Sequence, residues 1–369
     1  MNGNRKSREK TCVIGVDIGS GYGSKIGIYD LDTRLLAEGF LSFRSYGYSA
    51  DNFADNLVVA IRDTLEKVPR RKPLGVGIAC PGIFSFDGTG LIVANISILT
   101  GIRPADLISS RLGIPAWLLN DAAAGGLAEW HLSRHDLIYW VLGGGWGGTW
   151  MHADGSQVIP STGWSGKVEE LTCINEPGFV IPLYRDEIAP IAEKFGLSWE
   201  NLVSCLPSNA VMKDKENHEW VRAETVTASC GGLRRLFKAF LKFNPLGTEI
   251  EDPSGDDNCE GVLGKLAEDG FEPAVNTEAF FAESWALAVD RFYAHAARYG
   301  LTPEVPVHLA GGISHISNRY LPELQNHLRE RGVEPNFSIS KTRLANINAN
   351  LLGSGQLAVR GVLERGLAE

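Results

Sequence analysis

The 369-residue chain lacks most of the marks of a metalloprotein, a membrane protein or a nucleic-acid binder. It has no CxxC pair and no HExxH pair. Its six cysteines (Cys12, Cys80, Cys173, Cys205, Cys230 and Cys259) and eight histidines are scattered. That spacing argues against a zinc cage and against a disulfide framework, and it leaves buried free thiols in a reducing cytoplasm as the expectation. No apolar run approaches the roughly 20 residues that would span a bilayer, so no membrane partner is expected. A formal net charge of −9 gives no basic surface for phosphate backbones, which excludes nucleic acid as the main partner. Neither a GxxxxGK run followed by Ser or Thr nor a GxGxxG turn leading into a helix and a ribose-binding acid is present.

What remains is ordinary soluble composition, with 44% hydrophobic and 21% charged residues, in a chain long enough for two domains. The basic start, residues 1–10, reads as a disordered, solvated tail. TCVIGVDIGSGYGSKIGIYD then reads as two strands joined by a glycine-rich turn, followed by a strand around LLAEGFLSF. Phe53, Leu57, Ile61 and Leu65 fall at helical spacing. PLGVGIACPG and AWLLN read as buried strands, and Trp117, Leu118 and Leu119 predict burial on both faces of the second. DLIYWVLGGGWGGTWMHADG repeats the strand, glycine turn, strand order, which suggests a duplicated α/β unit. A long helix from TEAFF, a buried strand VPVHLAGG and two further helices close the chain. Residues 173–275 read as irregular, with GTEIEDPSGDDNCEG as an acidic surface loop.

Several positions could carry chemistry. In DIGSGYGSK, Asp17 precedes Gly19, Ser20, Gly21, Gly23, Ser24 and Lys25. Glycines let successive backbone N–H groups approach an anion, and Asp17 could hold a Mg²⁺-bound water, because magnesium needs few protein carboxylates. LGGGWGG places Gly143, Gly144, Gly145, Gly147 and Gly148 in a second such turn about 125 residues on. Tight turns alone also explain glycine here. Gly311, Gly312 and Ile313 follow a third strand ahead of a helix, where an adenine ring could lie on the backbone or a plain turn could suffice. Asn120 and Asp121 stand where a strand meets a helix of Ala122, Ala123, Ala124, Leu127 and Ala128. A helix cap is the plainer reading of that carboxylate, and residues alone do not displace it.

The order of these features resembles the ROK family of sugar kinases, in the actin-like ATPase superfold shared with hexokinase. The likeness covers residues 11–172 and 280–362, and GIPAWLLNDAAAGGLAEW is its most specific match. It implies an α/β fold of two ribonuclease-H-like (actin/hexokinase-type) domains around a central cleft. The small domain would be 11–118 plus 350–369 and the large one 119–349, with 173–275 inserted. The resemblance also implies ATP and Mg²⁺, a sugar or polyol acceptor, and a homodimer. Asp121 becomes the catalytic base, and Gly82, Asn95, Asn120 and Glu169 join it around the acceptor. Departures are equally plain. Two residues are inserted in the first loop, where Ser24-Lys25 replaces Thr-Lys, and Gly144 replaces a Thr in the second. The family's Gly-Glu-x-Gly-His stretch and zinc knot have no counterpart in SGKVEELTCINEPG, and Cys230 alone cannot rebuild the knot. No structural zinc is expected, and Trp164 and Phe179 could offer an apolar wall to a different sugar. The ten-residue tail gives no room for the helix-turn-helix of the family's repressors.

Overall fold

The structure, a computed structural model, describes residues 10–368 apart from 20, 86–88, 159–172, 228, 247–249 and 251–258. The chain begins with β1 (Lys10–Asp17), β2 (Gly23–Tyr29) and β3 (Leu35–Ser42), then α1 (Ala50–Glu66) and β4 (Arg71–Cys80). A small hairpin, β5 (Gly82–Phe84) with β6 (Leu91–Ala94), precedes α2 (Pro104–Leu112), β7 (Ala116–Asn120) and α3 (Asp121–Ser133). Next come β8 (Leu137–Leu142) and β9 (Trp146–Met151). The following stretch holds α4 (Pro177–Val180), β10 (Pro182–Tyr184), α5 (Arg185–Lys194), α6 (Trp199–Val203), β11 (Met212–Lys213), β12 (Glu219–Arg222) and α7 (Ala223–Val226). Then α8 (Cys230–Phe243), α9 (Cys259–Glu268) and α10 (Glu272–Ala296) lead to β13 (Val307–Ala310), α11 (Ser317–Glu330) and β14 (Phe337–Ile339). Finally, α12 (Lys341–Leu344) and α13 (Ala349–Glu364) close the chain.

Two compact units result. The first comprises Met1–His135, Met151–Glu170 and Lys341–Glu369, and the second Asp136–Trp150 and Leu171–Ser340. The sequence reading cut the chain after residue 118 and joined 350–369 to the small domain. The observed division instead falls at 135, so Asn120, Asp121 and all of α3 travel with the first unit.

The first unit is built on a five-stranded sheet in the order β3-β2-β1-β4-β7, with β2 antiparallel to its neighbours and β4 and β7 parallel to β1. β1 and β4 are central and carry continuous apolar runs, as strands covered on both faces must. Ile14, Val16, Val76 and Ile78 pack with Phe53, Leu57 and Ile61 of α1 on one face. On the other, Val13 and Leu74 meet Leu351, Val359 and Val362 of α13. That second helix lies unusually deep. A β-carbon on Gly77 would stand 1.8 Å from the Ser354 carbonyl oxygen, and one on Gly353 would stand 1.8 Å from that of Ala124. The small residues of α3 and α13 therefore let two helix backbones and the sheet touch directly. β7, by contrast, is an edge strand, and Trp117, Leu118 and Leu119 are half-buried rather than buried on both faces.

In the second unit the sheet order is β14-β13-β8-β9. α10 supplies Phe280, Phe281, Trp285 and Phe292, all fully buried. Trp140 of β8 packs edge-on against Trp146 of β9 and Phe292, with ring centroids 4.8 and 5.0 Å apart, fixing the base of the turn between the two strands. The stretch 173–275, read as irregular, is ordered through most of its described residues. It contains a three-stranded antiparallel sheet, β10-β12-β11, and the strongly amphipathic α8, whose Leu233, Leu236, Phe237 and Phe240 are buried. Much of the acidic loop GTEIEDPSGDDNCEG lies outside the described residues.

Candidate active site

In the first unit the candidate residues gather where parallel strands end. Asp17 closes β1 opposite Ala79 of β4, and Asn120 closes β7 opposite Cys80. Carboxyl ends of strands in a mixed α/β sheet are where ligands are bound. Because β4 lies between them, the Asp17 and Asp121 backbones are two strand spacings apart, roughly 10 Å. The capping question at the end of β7 has a definite answer. Asn120 is the cap, its Oδ1 accepting from the Ala123 N–H at 3.2 Å while its Nδ2 donates to the Gly82 carbonyl at 3.2 Å. Asp121 is the first residue of α3 and accepts from the Ala122 N–H at 2.9 Å. The cap bond to Ala123 is thus made by Asn120, and the Asp121 carboxylate takes only a local bond from the adjacent amide.

Burial pushes the Asp121 carboxyl up to about 6, and the negative charge of Asp17 adds to the shift. Burial raises Asp17 as well, opposed by the Lys25 ammonium and by two side-chain amides, those of Asn348 and Asn350. Cys80 lies between the two acids along the strand ends, and both charges join burial in raising its thiol. Gly82 pairs with Ala94 across the β5–β6 hairpin, which brings Asn95 to the same edge with its side chain exposed. Glu169, Trp164 and Ser20 lie outside the described residues.

The first glycine turn is held by an ordered chain of protons. Tyr46 donates its hydroxyl to the Gly19 carbonyl at 2.8 Å, and the Ser24 hydroxyl lies 2.6 Å from the Tyr46 oxygen. Tyr46 has one proton and gives it to Gly19, so Ser24 must donate to Tyr46. The buried Ser24 hydroxyl thus fixes the loop, and its proton is not free for a phosphate. Gly23 has φ +140°, and a β-carbon there would meet the Leu41 carbonyl oxygen at 2.2 Å, so the fold itself demands glycine. Gly21 differs, since a β-carbon on it would meet nothing within 4 Å. Lys25 is exposed and pairs with Asp17 across the β1–β2 ladder. One carboxylate with an adjacent open glycine turn suits Mg²⁺, a hard cation that keeps most of its waters. Nothing in the sequence pattern announced Tyr46, Asn348 or Asn350, which reach the loop from 22 to 333 residues away.

In the second unit the turn Gly143–Gly145 links β8 to β9 and sits on the corner between α7 and α8. The Cys230 N–H donates to the Gly143 carbonyl at 2.8 Å, and a β-carbon on Gly231 would come within 2.9 Å of the Gly144 carbonyl oxygen. Glu224 accepts from the Trp146 N–H, and its Oε2 fills the space beside Gly145. Arg235 ties the corner together by donating to the Glu224 and Thr225 carbonyls at 3.0 and 2.7 Å. Gly143 and Gly144 face open space, with nothing within 4 Å of an added β-carbon. Gly148 instead packs on Trp140 and the Ile174 carbonyl, and Gly147 lies within β9.

The third glycine pair is also explained from within. Gly311 has φ +86° and lies against the Leu142 carbonyl, while Gly312 abuts the Cys230 thiol. Ile313 is fully buried, and its carbonyl accepts from Tyr320 at 3.1 Å. The segment after Gly311 is a 3₁₀ turn, Gly312–Ile316, before α11 begins. Two glycine segments, Gly143–Gly145 and Gly311–Gly312, and the start of α8 thus meet in one place. Phe179, considered as a wall for a sugar ring, is covered by the Arg222 guanidinium 3.5 Å from its ring centre. Cys230, isolated in the sequence, has its thiol on the Leu142 carbonyl at 3.4 Å.

No family model matches the sequence, and no curated protein matches it. Solved structures do match over nearly the whole chain. A ROK hexokinase from Thermus thermophilus is similar at 19% identity with a TM-score of 0.63, covering 96% of this chain and 99% of its own. A ROK glucokinase from Streptomyces griseus, determined in complex with glucose and AMPPNP, is similar at 18% identity with a TM-score of 0.62, covering 95% and 100%. A ROK transcriptional regulator homologous to the E. coli MLC protein matches at 15% identity with a TM-score of 0.63, covering 94% and 80%. The chain has the ROK sugar-kinase fold, an actin/hexokinase-like α/β architecture.

Proposed function

We propose that the protein transfers the γ-phosphoryl group of ATP to a hydroxyl of a sugar or sugar-like polyol. The observation that carries this reading is the division of labour at the end of β7. Asn120 closes the helix, leaving Asp121 with a carboxyl at about 6, a suitable base at neutral pH. Asp121 would take the acceptor's proton as its oxygen attacks. Asn95 and the Gly82 backbone would orient the acceptor, and Asn120 would hold Gly82 and Asp121 in register. Asp17 would bind a Mg²⁺-coordinated water, and that ion would neutralise phosphate charge when bound. Gly21, Gly143 and Gly144, which packing does not require, are the backbone positions best suited to approach phosphates. The turn at Gly311–Ile313 would carry the adenosine.

Substrate choice follows from the departures noted above. With no His following Glu169, a hydroxyl contact of ordinary members is lost, and the pocket should be retuned away from glucose. A coupled ADP-release assay over hexoses, amino sugars and cyclitols tests both points. Acceptor-dependent ADP release is expected, with glucose a poor substrate by kcat/KM. Glucose as the best acceptor would remove the retuning idea, and no acceptor-dependent release would remove the kinase. Metal analysis should find no stoichiometric zinc.

A non-catalytic sensor of ATP or sugar is the second reading. Two observations favour it: the committed proton of Ser24 in the first loop, and Gly144 where a Thr is usual in the second. The same assay separates the two.

A further inference from the structure

We propose that Asn348 and Asn350 are positioning residues that orient the Asp17 carboxylate toward a nucleotide-bound Mg²⁺. This rests on the reading of Asp17 as the group that faces the metal. The two side chains lie 331 and 333 residues from Asp17 and bond to different oxygens of it. Asn348 Nδ2 is 3.3 Å from Oδ2, and Asn350 Nδ2 is 3.4 Å from Oδ1. The direction of the Asn348 amide is fixed by chemistry. Its Oδ1 accepts from the Leu351 N–H at 3.0 Å as the cap of α13, so the nitrogen must face Asp17. The carboxylate also meets the amino end of a 16-residue helix, which favours negative charge.

This arrangement couples the two acids mechanically. α13 touches α3 backbone to backbone at Gly353 and Ala124, and α3 begins with Asp121. The helix that presents both amides to Asp17 is thereby fixed to the helix that carries the proposed base. Without the amides, a carboxylate that must bind a cation through water could rotate toward other donors, such as Lys25 across the ladder. Two donors on two oxygens remove that freedom.

The test uses the full chain and calorimetric titration of ATP, with Mg²⁺ and with EDTA, beside melting curves. Asn348→Ser keeps a good helix cap but is too short to reach Asp17. Asn350→Ala removes the other donor and leaves the cap untouched. Each should cut the Mg²⁺-dependent gain in ATP affinity by roughly threefold, and the double variant by roughly tenfold or more, as befits hydrogen bonds to a charged group. Affinity in EDTA and Tm should stay close to wild type. Unchanged gains in the double variant would overturn the proposal. So would equal losses with and without Mg²⁺, which would mark a merely structural role, or a wild type with no Mg²⁺ gain at all. A wild type that shows the gain but phosphorylates no acceptor would defeat the kinase and leave the positioning role standing.

Discussion

The turns after β1 and after β8 read alike in sequence, each a run of glycines between two strands, but they are held in different ways. The first is clamped from within its own sheet: Gly23 lies under the Leu41 carbonyl, and the Ser24 hydroxyl donates to Tyr46, which donates to the Gly19 carbonyl. The second is held from outside, by Glu224, Cys230 and Arg235 at the corner before α8. In both, some glycines answer to packing and others to nothing in the protein. Gly23 belongs to the first kind, Gly21, Gly143 and Gly144 to the second. A glycine-rich pattern is therefore a mixture, and only the open positions speak for a ligand.

The acid that follows β7 gives the largest expected effect. Asp121→Asn should lower kcat by about 10²–10⁴, because the amide cannot take a proton. It should also raise Tm at neutral pH. The folded-state pKa of Asp121 lies above its ordinary value of 3.8, so the ionised form is the costly one. That cost is fully present above about 6 and is relieved as pH falls toward 3.8, so the gain in Tm should shrink in acid. A variant that lost activity and stability together would point to a structural acid instead.

The comparison of open and packed glycines comes next. Gly144→Val should weaken ATP binding roughly tenfold or more while leaving Tm unchanged, since backbone bonds to phosphate are charge-assisted. Gly23→Ala should do the reverse, costing about 2 kcal/mol of stability or more, because φ +140° and the Leu41 carbonyl both oppose a β-carbon. Thermal melts beside nucleotide titrations read both, and equal behaviour of the two variants would collapse the distinction. The smallest effect is that of Tyr46→Phe. It leaves the Ser24 hydroxyl and the Gly19 carbonyl without partners and should cost about 1–2 kcal/mol, measured by urea unfolding.

The sequence made the local parts legible. Both glycine hairpins, α1, α10, α13 and the strand-to-helix joint at Asn120 follow from period and turn residues; of the thiols expected to be buried, Cys12, Cys80, Cys173 and Cys259 are, while Cys205 and Cys230 are half-buried. The β5–β6 hairpin escaped because strands of three and four residues carry too few positions to show alternation. In CGGLRRLFKAFLKF the helical period is plain at Leu233, Leu236, Phe237 and Phe240, but the acidic, turn-rich run that follows carries no period, so the stretch taken whole shows none. The edge position of β7 depends on strand order, which no single strand encodes. Tyr46, Asn348, Asn350 and Glu224 act through contacts distant in the chain, and a polar residue in a loop gives no sign of such a partner.

The central claim is that Asp121, relieved of capping by Asn120, works as the base. The pH dependence of kcat/KM tests it most directly, using the best acceptor from the panel in wild type and in Asp121→Asn. Wild type should lose activity tenfold per pH unit below an apparent pKa of about 6, and the residual activity of the variant should lack that limb. A wild-type profile flat to well below that value, or the same limb surviving in the variant, would contradict the account.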